Sequence, residues 1–329
     1  MVWLLDFLSG LGLDATEIAR LNQISPAQLQ NPNNAITPEQ HRGVLWEALT
    51  RSKDSGLGLK LGLRRSIATF DQFAYLMMSS ATLRESNEVA LRYQNYPGRF
   101  SGNLIITSFS EINGEGCYQI HAKPALGELR LLAVEDILTN ILTTCRWVLG
   151  RNLPLTHLRC DYPAPPHAED YGSIFQCPVQ FDASAIQLFF DASILDQPLP
   201  HSSPQSGALY DKLCEEKSIS RNRGNVAWRV WQIIARDPGN PPALEVAARE
   251  LHCSPRTLSR KLLAQGWQYQ QLIDQLREIH ARRYLSDPTL SITHIAQQLG
   301  YADSSGFHRA FKKWTGLSPK TFRDGLFAR

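Results

Sequence analysis

The sequence predicts an α+β domain followed by an all-α domain with two helix-turn-helix units joined by a linker helix. Three observations predict it. Runs rich in β-formers lie between residues 104 and 190. A stretch dense in Pro, Ser and Gly follows at 196–225. From Val226 onward the pattern is helix after helix, and the charge turns basic.

Length and composition set the frame. A chain of 329 residues suits two domains rather than one. Hydrophobic content of 43% and charged content of 20% are globular values. No apolar run approaches the ~18–20 residues of a membrane span. The opening residues Met1-Val2-Trp3-Leu4-Leu5-Asp6 lack a basic segment, so no signal peptide is expected and a cytoplasmic location is. The six cysteines are scattered without a C-x-x-C pair, which predicts reduced thiols and neither a zinc site nor a disulfide framework. From Val226 to Arg329 there are 15 Lys and Arg against 8 Asp and Glu; the remaining 225 residues carry 19 against 23. A basic module joined to a mildly acidic one fits a phosphate-binding domain beside a regulatory one.

In the first domain, residues 2–22 read as a helix with a Gly interruption. A second helix is expected at Pro38–Ser52, with Thr37 as N-cap, Pro38 in the first turn and Gln40 completing a capping box. Residues 80–93 are amphipathic, with Leu83, Val89 and Tyr93 near one face. Runs at 104–112 and 117–122 flank Asn113-Gly114-Glu115-Gly116, a turn of residues that tolerate positive φ. Residues 128–149 form a long helical pattern closed by Gly150. Short β-type runs follow at 155–160, 179–181 and 186–190. Within the linker, a short helix is expected at 207–217. The predicted domains are therefore 1–205, a linker at 206–225, and a seven-helix domain at 226–329.

The first helix-turn-helix unit is read at 244–265. Leu244, Ala247 or Ala248, and Leu251 make an apolar stripe. Ser254 is a good N-cap and Pro255 fits the first helical position. Leu258 and Leu262 then face the core, leaving Arg256, Ser259 and Arg260 outward. The second unit, 292–315, repeats this. Ile292, Ile295, Ala296 and Leu299 form the stripe, Gly300 suits the turn after the helix, and Asp303 caps the next. Phe307 and Phe311 stand where Leu258 and Leu262 stood, with Ser304, Ser305, His308 and Arg309 outward. Arg260 and Arg309 each lie two residues after the buried residue. Between the units, the eighteen-residue helical pattern at 268–285 makes a rod of roughly 27 Å, closed by Ser286-Asp287-Pro288. Such a spacer suits two helices entering major grooves about one duplex turn (~34 Å) apart. Lys312, Lys313 and Lys320 follow the second reader and suit phosphates, which fix position while base contacts specify sequence.

The competing readings are weaker. A plain helical bundle with basic surfaces would not need two aligned, capped units. Ser259 and Ser305 could simply face solvent. Gly56-x-Gly58-x-x-x-Gly62 lacks the preceding apolar strand of a dinucleotide fingerprint and reads as a loop between helices. The nine His residues show no metal spacing, so no metal and no cofactor is expected. Asp6, Asp71 and Glu135 are carboxylates that only folding could bring together. A reactive-cysteine methyltransferase is excluded because no Cys lies in a Pro-Cys-His-Arg context. No enzyme is expected. Phe70, Phe73, Tyr75, Tyr93 and Trp147 could line a pocket or belong to the core.

Residues 295–319, IAQQLGYADSSGFHRAFKKWTGLSP, resemble the characteristic signature of the AraC/XylS family of bacterial regulators. Gly306 departs from it, standing where a larger residue is commoner. The stretches GLKLG at 58–62, LMMSSATLRE at 76–85 and YGSIFQCPVQF at 171–181 resemble the arabinose-binding-like regulatory domain of one branch of that family. The resemblance implies a transcription regulator that binds double-stranded DNA, usually as a homodimer, under a small-molecule effector held by the first domain. It also allows RNA polymerase as a further partner. The alternative is an effector-independent regulator whose first domain serves dimerisation or partner docking. The DNA contacts expected are Arg256, Ser259, Arg260, Ser304, Ser305, His308, Arg309, Lys312 and Lys313.

Overall fold

In a computed structural model of the chain, residues 1–30, 36–66, 72–94, 105–112, 114–122, 124–221, 226–265, 267–285 and 287–327 are described. Phe70, Asp71, Leu104, Asn113, Asn222, Arg223, Gly224, Ser286 and Arg329, to which the sequence reading assigned places, lie outside them. The chain divides into two compact units: Met1–Thr107 with Asn113–Arg221, and Asn222–Arg329 with the segment Ser108–Ile112.

The first unit opens on α1 (Val2–Gly10) and α2 (Ala15–Leu21), which replace the single expected helix. Gly12 takes φ +81° and the Asp14 carboxylate accepts from the Glu17 N–H, so the chain stops and restarts. After the short α3 (Pro26–Gln30), α4 (Pro38–Ser52) carries the expected capping box: the Gln40 N–H donates to Thr37 Oγ1 and the Thr37 N–H to Gln40 Oε1. Leu4, Leu8, Ile18, Val44 and Ala48 bury together as one apolar core.

Next comes α5 (Leu57–Leu63), where the glycine pattern had suggested a loop. Its glycines serve a close helix crossing. It packs against α8 (Arg130–Leu149), and a Cβ on Gly58 would lie 2.5 Å from the Leu132 carbonyl oxygen, one on Gly62 2.4 Å from that of Asp136. Two glycines four apart present a smooth strip, so the backbones touch. Buried Glu135 sits at this crossing. Its carboxylate accepts from the Tyr171 hydroxyl at 2.8 Å and meets His167 Nε2, and burial pushes its pKa upward. Asp6 is exposed, away from buried Glu135, and Asp71 lies outside the described residues.

Helices α6 (Gln72–Met78) and α7 (Leu83–Gln94) follow, with Leu83, Val89 and Tyr93 buried as the amphipathic pattern requires. A five-stranded sheet then forms in the order β1 (Ile105–Ile112), β2 (Glu115–Ala122), β5 (Ile186–Asp191), β3 (Leu155–Arg159), β4 (Val179–Gln180). Pairs β2–β5 and β5–β3 are antiparallel and β3–β4 is parallel. The expected four-residue turn is tighter. Glu115 and Gly116 already belong to β2, because Gly116 lies against the Phe190 ring, 2.2 Å from where its Cβ would be. On one face a polar row crosses three strands: Gln119 opposite Gln187, and Gln187 opposite Arg159. Helix α9 (Ala168–Phe175) precedes β4. The expected short helix at 207–217 is longer: α10 (Pro204–Arg221) packs on α6.

From Val226 onward every element among the described residues is a helix: α11 (Val226–Ile234), α12 (Leu244–Glu250), α13 (Pro255–Ala264), α14 (Tyr269–Leu285), α15 (Ile292–Gln298), α16 (Ser304–Thr315) and α17 (Pro319–Phe327). The linker helix α14 packs against α11 on one side and α15, α16 and α17 on the other. Its Glu278–Arg282 ion pair is buried, at 2.8 Å, and the Arg282 guanidinium lies over Phe322.

Candidate nucleic-acid interface

Each reader helix starts where its cap fixes it. The Thr257 N–H donates to Ser254 Oγ at 3.1 Å, and Pro255 opens α13 with φ preset. The Gly306 N–H donates to Asp303 Oδ1 at 2.7 Å at the start of α16. Behind the caps, Ala247, Ala248, Leu258 and Leu262 are fully buried in the first unit, as are Ile295, Ala296, Leu299, Phe307 and Phe311 in the second. Small alanines let the paired helices cross closely, and the reader's inner side is thereby pinned.

That burial dictates what faces outward. Arg256, Ser259 and Arg260 are exposed on α13. On α16, Ser305, Arg309, Lys312 and Lys313 are exposed. Ser304 and His308 are half-buried, His308 because its ring lies edge-on to Phe307. Each set gathers on one helix. Lys320 is exposed at the start of α17.

The structure adds a brace that the sequence reading missed. Gly300 has φ +76°, and a Cβ there would sit 1.7 Å from the carbonyl oxygen of Gly239. A Cβ on Gly239 would in turn meet the Gln298 carbonyl at 2.6 Å. Arg277 of α14 donates to the same Gly239 oxygen at 3.4 Å and lies over the Tyr301 ring. The loop before the first helix-turn-helix unit thus touches the turn of the second. A cleft of about 440 Å³ borders this brace, lined by Asn240, Pro242, Tyr269, Ile273 and Arg277. The turn signal Asp237-Pro238-Gly239-Asn240 was visible; its partner 61 residues on was not.

In the first unit, the described contacts of the aromatic candidates are with separate neighbours. Phe73 packs edge-on against buried Tyr93, whose hydroxyl donates to Asp211 at 2.8 Å, and Tyr75 stacks on Tyr210 at an exposed site. No group of three or more His, Cys, Asp or Glu stands together as a metal site among the described residues. No helix among them is long and apolar enough to cross a membrane.

Residues 12–199 match the family described as the arabinose-binding domain of AraC transcription regulator, N-terminal, which is more than half of the chain. The chain belongs to the AraC family of transcription regulators. Residues 247–325 match a helix-turn-helix domain, covering both readers. This AraC-family chain is 28% identical over 324 residues to the ornithine utilization regulator of Pseudomonas aeruginosa, covering 98% of this chain and 94% of the other. It is 22% identical to the HTH-type transcriptional regulator VqsM of the same organism, over 93% and 95%. The crystal structure of the transcriptional regulator CdpR, also from Pseudomonas aeruginosa, aligns over 94% of this chain and 96% of that one, at 21% identity and a TM-score of 0.44. The AraC-type chain is therefore a DNA-binding transcription regulator with an arabinose-binding-like first domain.

Proposed function

We propose that this regulator sets α13 and α16 into successive major grooves on one face of a duplex. Arg256, Ser259 and Arg260 then meet base edges from the first helix, and Ser304, Ser305, His308 and Arg309 from the second. Lys312, Lys313 and Lys320 hold phosphates. The observation that carries this reading is the pair of exposed polar stripes, each opposite a fully buried pair, Leu258 with Leu262 and Phe307 with Phe311. Arginine is suited to the task because its fork can grip guanine O6 and N7 together. The protein acts in the cytoplasm as a homodimer with RNA polymerase as a partner, and the regulatory domain spans about residues 1–205.

The same reading gives the first domain a small-molecule effector. Supporting it, Gln187 is fully buried in β5 and both its amide atoms lack a hydrogen-bond partner, as does the buried Gln119 oxygen opposite it. A buried amide without a partner costs roughly 1–3 kcal/mol, which a bound polar metabolite would offset.

The test is binding of the full chain to its selected operator. Arg260→Ala or Arg309→Ala is expected to cost about 1–3 kcal/mol there and little on random DNA. Equal losses on both would remove them as base readers. For the effector, thermal unfolding is followed across sugars, organic acids and amino acids, with ornithine included from the relative's name. At 100 times its dissociation constant a ligand adds about 2.7 kcal/mol. A flat response across the panel would favour a first domain that serves only dimerisation or docking.

A further inference from the structure

We propose that Leu263 reads sequence for the first helix-turn-helix unit by packing on the C5-methyl group of a thymine. This rests on the reading that α13 enters a major groove. Aligning the two readers by their buried pairs, Leu258 with Phe307 and Leu262 with Phe311, fixes four outward positions on each. Arg256 falls on Ser305, Ser259 on His308, Arg260 on Arg309, and Leu263 on Lys312. Three of these pairs are polar in both helices. The fourth is not.

At that fourth position Lys312 is exposed, as its charge requires, and Leu263 is 66% exposed, the most exposed large apolar side chain among the described residues. The helix's own core does not use it. A single exposed leucine is ordinary on a protein surface. This one ends a stripe at the helical spacing 256, 259, 260, 263, next to Ser259 and Arg260, on the side opposite Leu258 and Leu262. A side chain there faces whatever Arg260 faces.

The floor of the major groove offers one apolar feature, the thymine methyl group, and aliphatic side chains recognise it by contact. Leu263 lies three residues, or ~4.5 Å, beyond Arg260 along the helix axis. With ~3.4 Å between successive base pairs, the thymine stands one to two pairs beyond the one Arg260 reads. Lysine at the equivalent place in α16 takes a phosphate instead. The two readers therefore differ in kind: the first adds a methyl contact where the second adds charge.

The experiment selects operators from random duplexes with the full-length wild type, Arg260→Ala and Leu263→Ala. It then replaces each selected thymine by uracil, which removes only the methyl. In the wild-type motif a thymine is expected one to two pairs from the pair that Arg260→Ala relaxes. Uracil there weakens wild-type binding roughly three- to fivefold, the worth of one buried methyl. Leu263→Ala binds the thymine and uracil forms equally, with an unchanged melting temperature. Leu263→Lys, which copies the second helix, steepens the dependence of log K on log salt by about one unit. A wild type indifferent to uracil throughout the first half-site overturns the proposal, as does Leu263→Ala selecting the wild-type motif with undiminished affinity. An unchanged salt slope for Leu263→Lys overturns it too, by placing the residue away from the duplex. If the wild type enriches no motif, or Arg260→Ala alters none, the groove reading itself fails, and that result is read without reference to any Leu263 variant.

Discussion

The inner side of α13 presents two leucines, whereas that of α16 presents two phenylalanines within an aromatic cluster. Phe307 and Phe311 pack tilted at 5.7 Å, Tyr301 and Trp314 flank them, and Phe322 closes edge-on at 5.3 Å from Phe311. The buried Glu278–Arg282 pair of the linker helix backs that cluster. The turns differ in the same sense. His252 adopts φ +53° in the first unit at the place where the second has Gly300, which touches Gly239. A histidine can bear the left-handed region at modest cost, but no side chain fits at 300. Duplicated motifs thus keep their outline while the chemistry of their inner faces and turns diverges.

Three measurements would break or sharpen that contrast. The largest effect is expected at Phe311→Ala, at about 4 kcal/mol of the second unit's stability in urea unfolding. Leu262→Ala should cost about 3 kcal/mol, and a larger loss there would reverse the ranking of the two anchors. Next is Gly300→Ala, expected to cost about 3 kcal/mol from φ strain and collision with the Gly239 carbonyl. His252→Gly in the first unit should stay within about 1 kcal/mol, because relief of strain and added chain entropy nearly cancel. Similar losses at both would mean the turns are mechanically alike. The smallest effect belongs to Lys312→Ala. It should flatten the salt slope of DNA binding by about one unit without altering the selected motif. A changed motif would make Lys312 a reader rather than a phosphate contact.

Much of this was legible because short-range signals carry it. Ser254 and Asp303 announce helix starts through bonds to N–H groups three residues on, and Thr37 with Gln40 does the same in the first unit. The leucine and phenylalanine pairs four apart fix which side of each reader is inward. What stayed hidden is decided by distant partners. Gly58 and Gly62 look like loop formers until α8 arrives some seventy residues later. Gly116 reads as turn until the Phe190 ring covers it. Likewise Pro204, which in isolation suggested a linker, opens an eighteen-residue helix whose support is α6.

The contact between Gly239 and Gly300 has a practical side. Because the Gly239 carbonyl oxygen fills the space of a Cβ at 300 and the Gln298 carbonyl oxygen that of one at 239, these two positions behave as a lock and its keeper. Anyone grafting the second reader onto another regulator's first must transplant both glycines and the arginine at 277. Otherwise the recipient's own side chains would collide at this contact and push the two helix-turn-helix units apart.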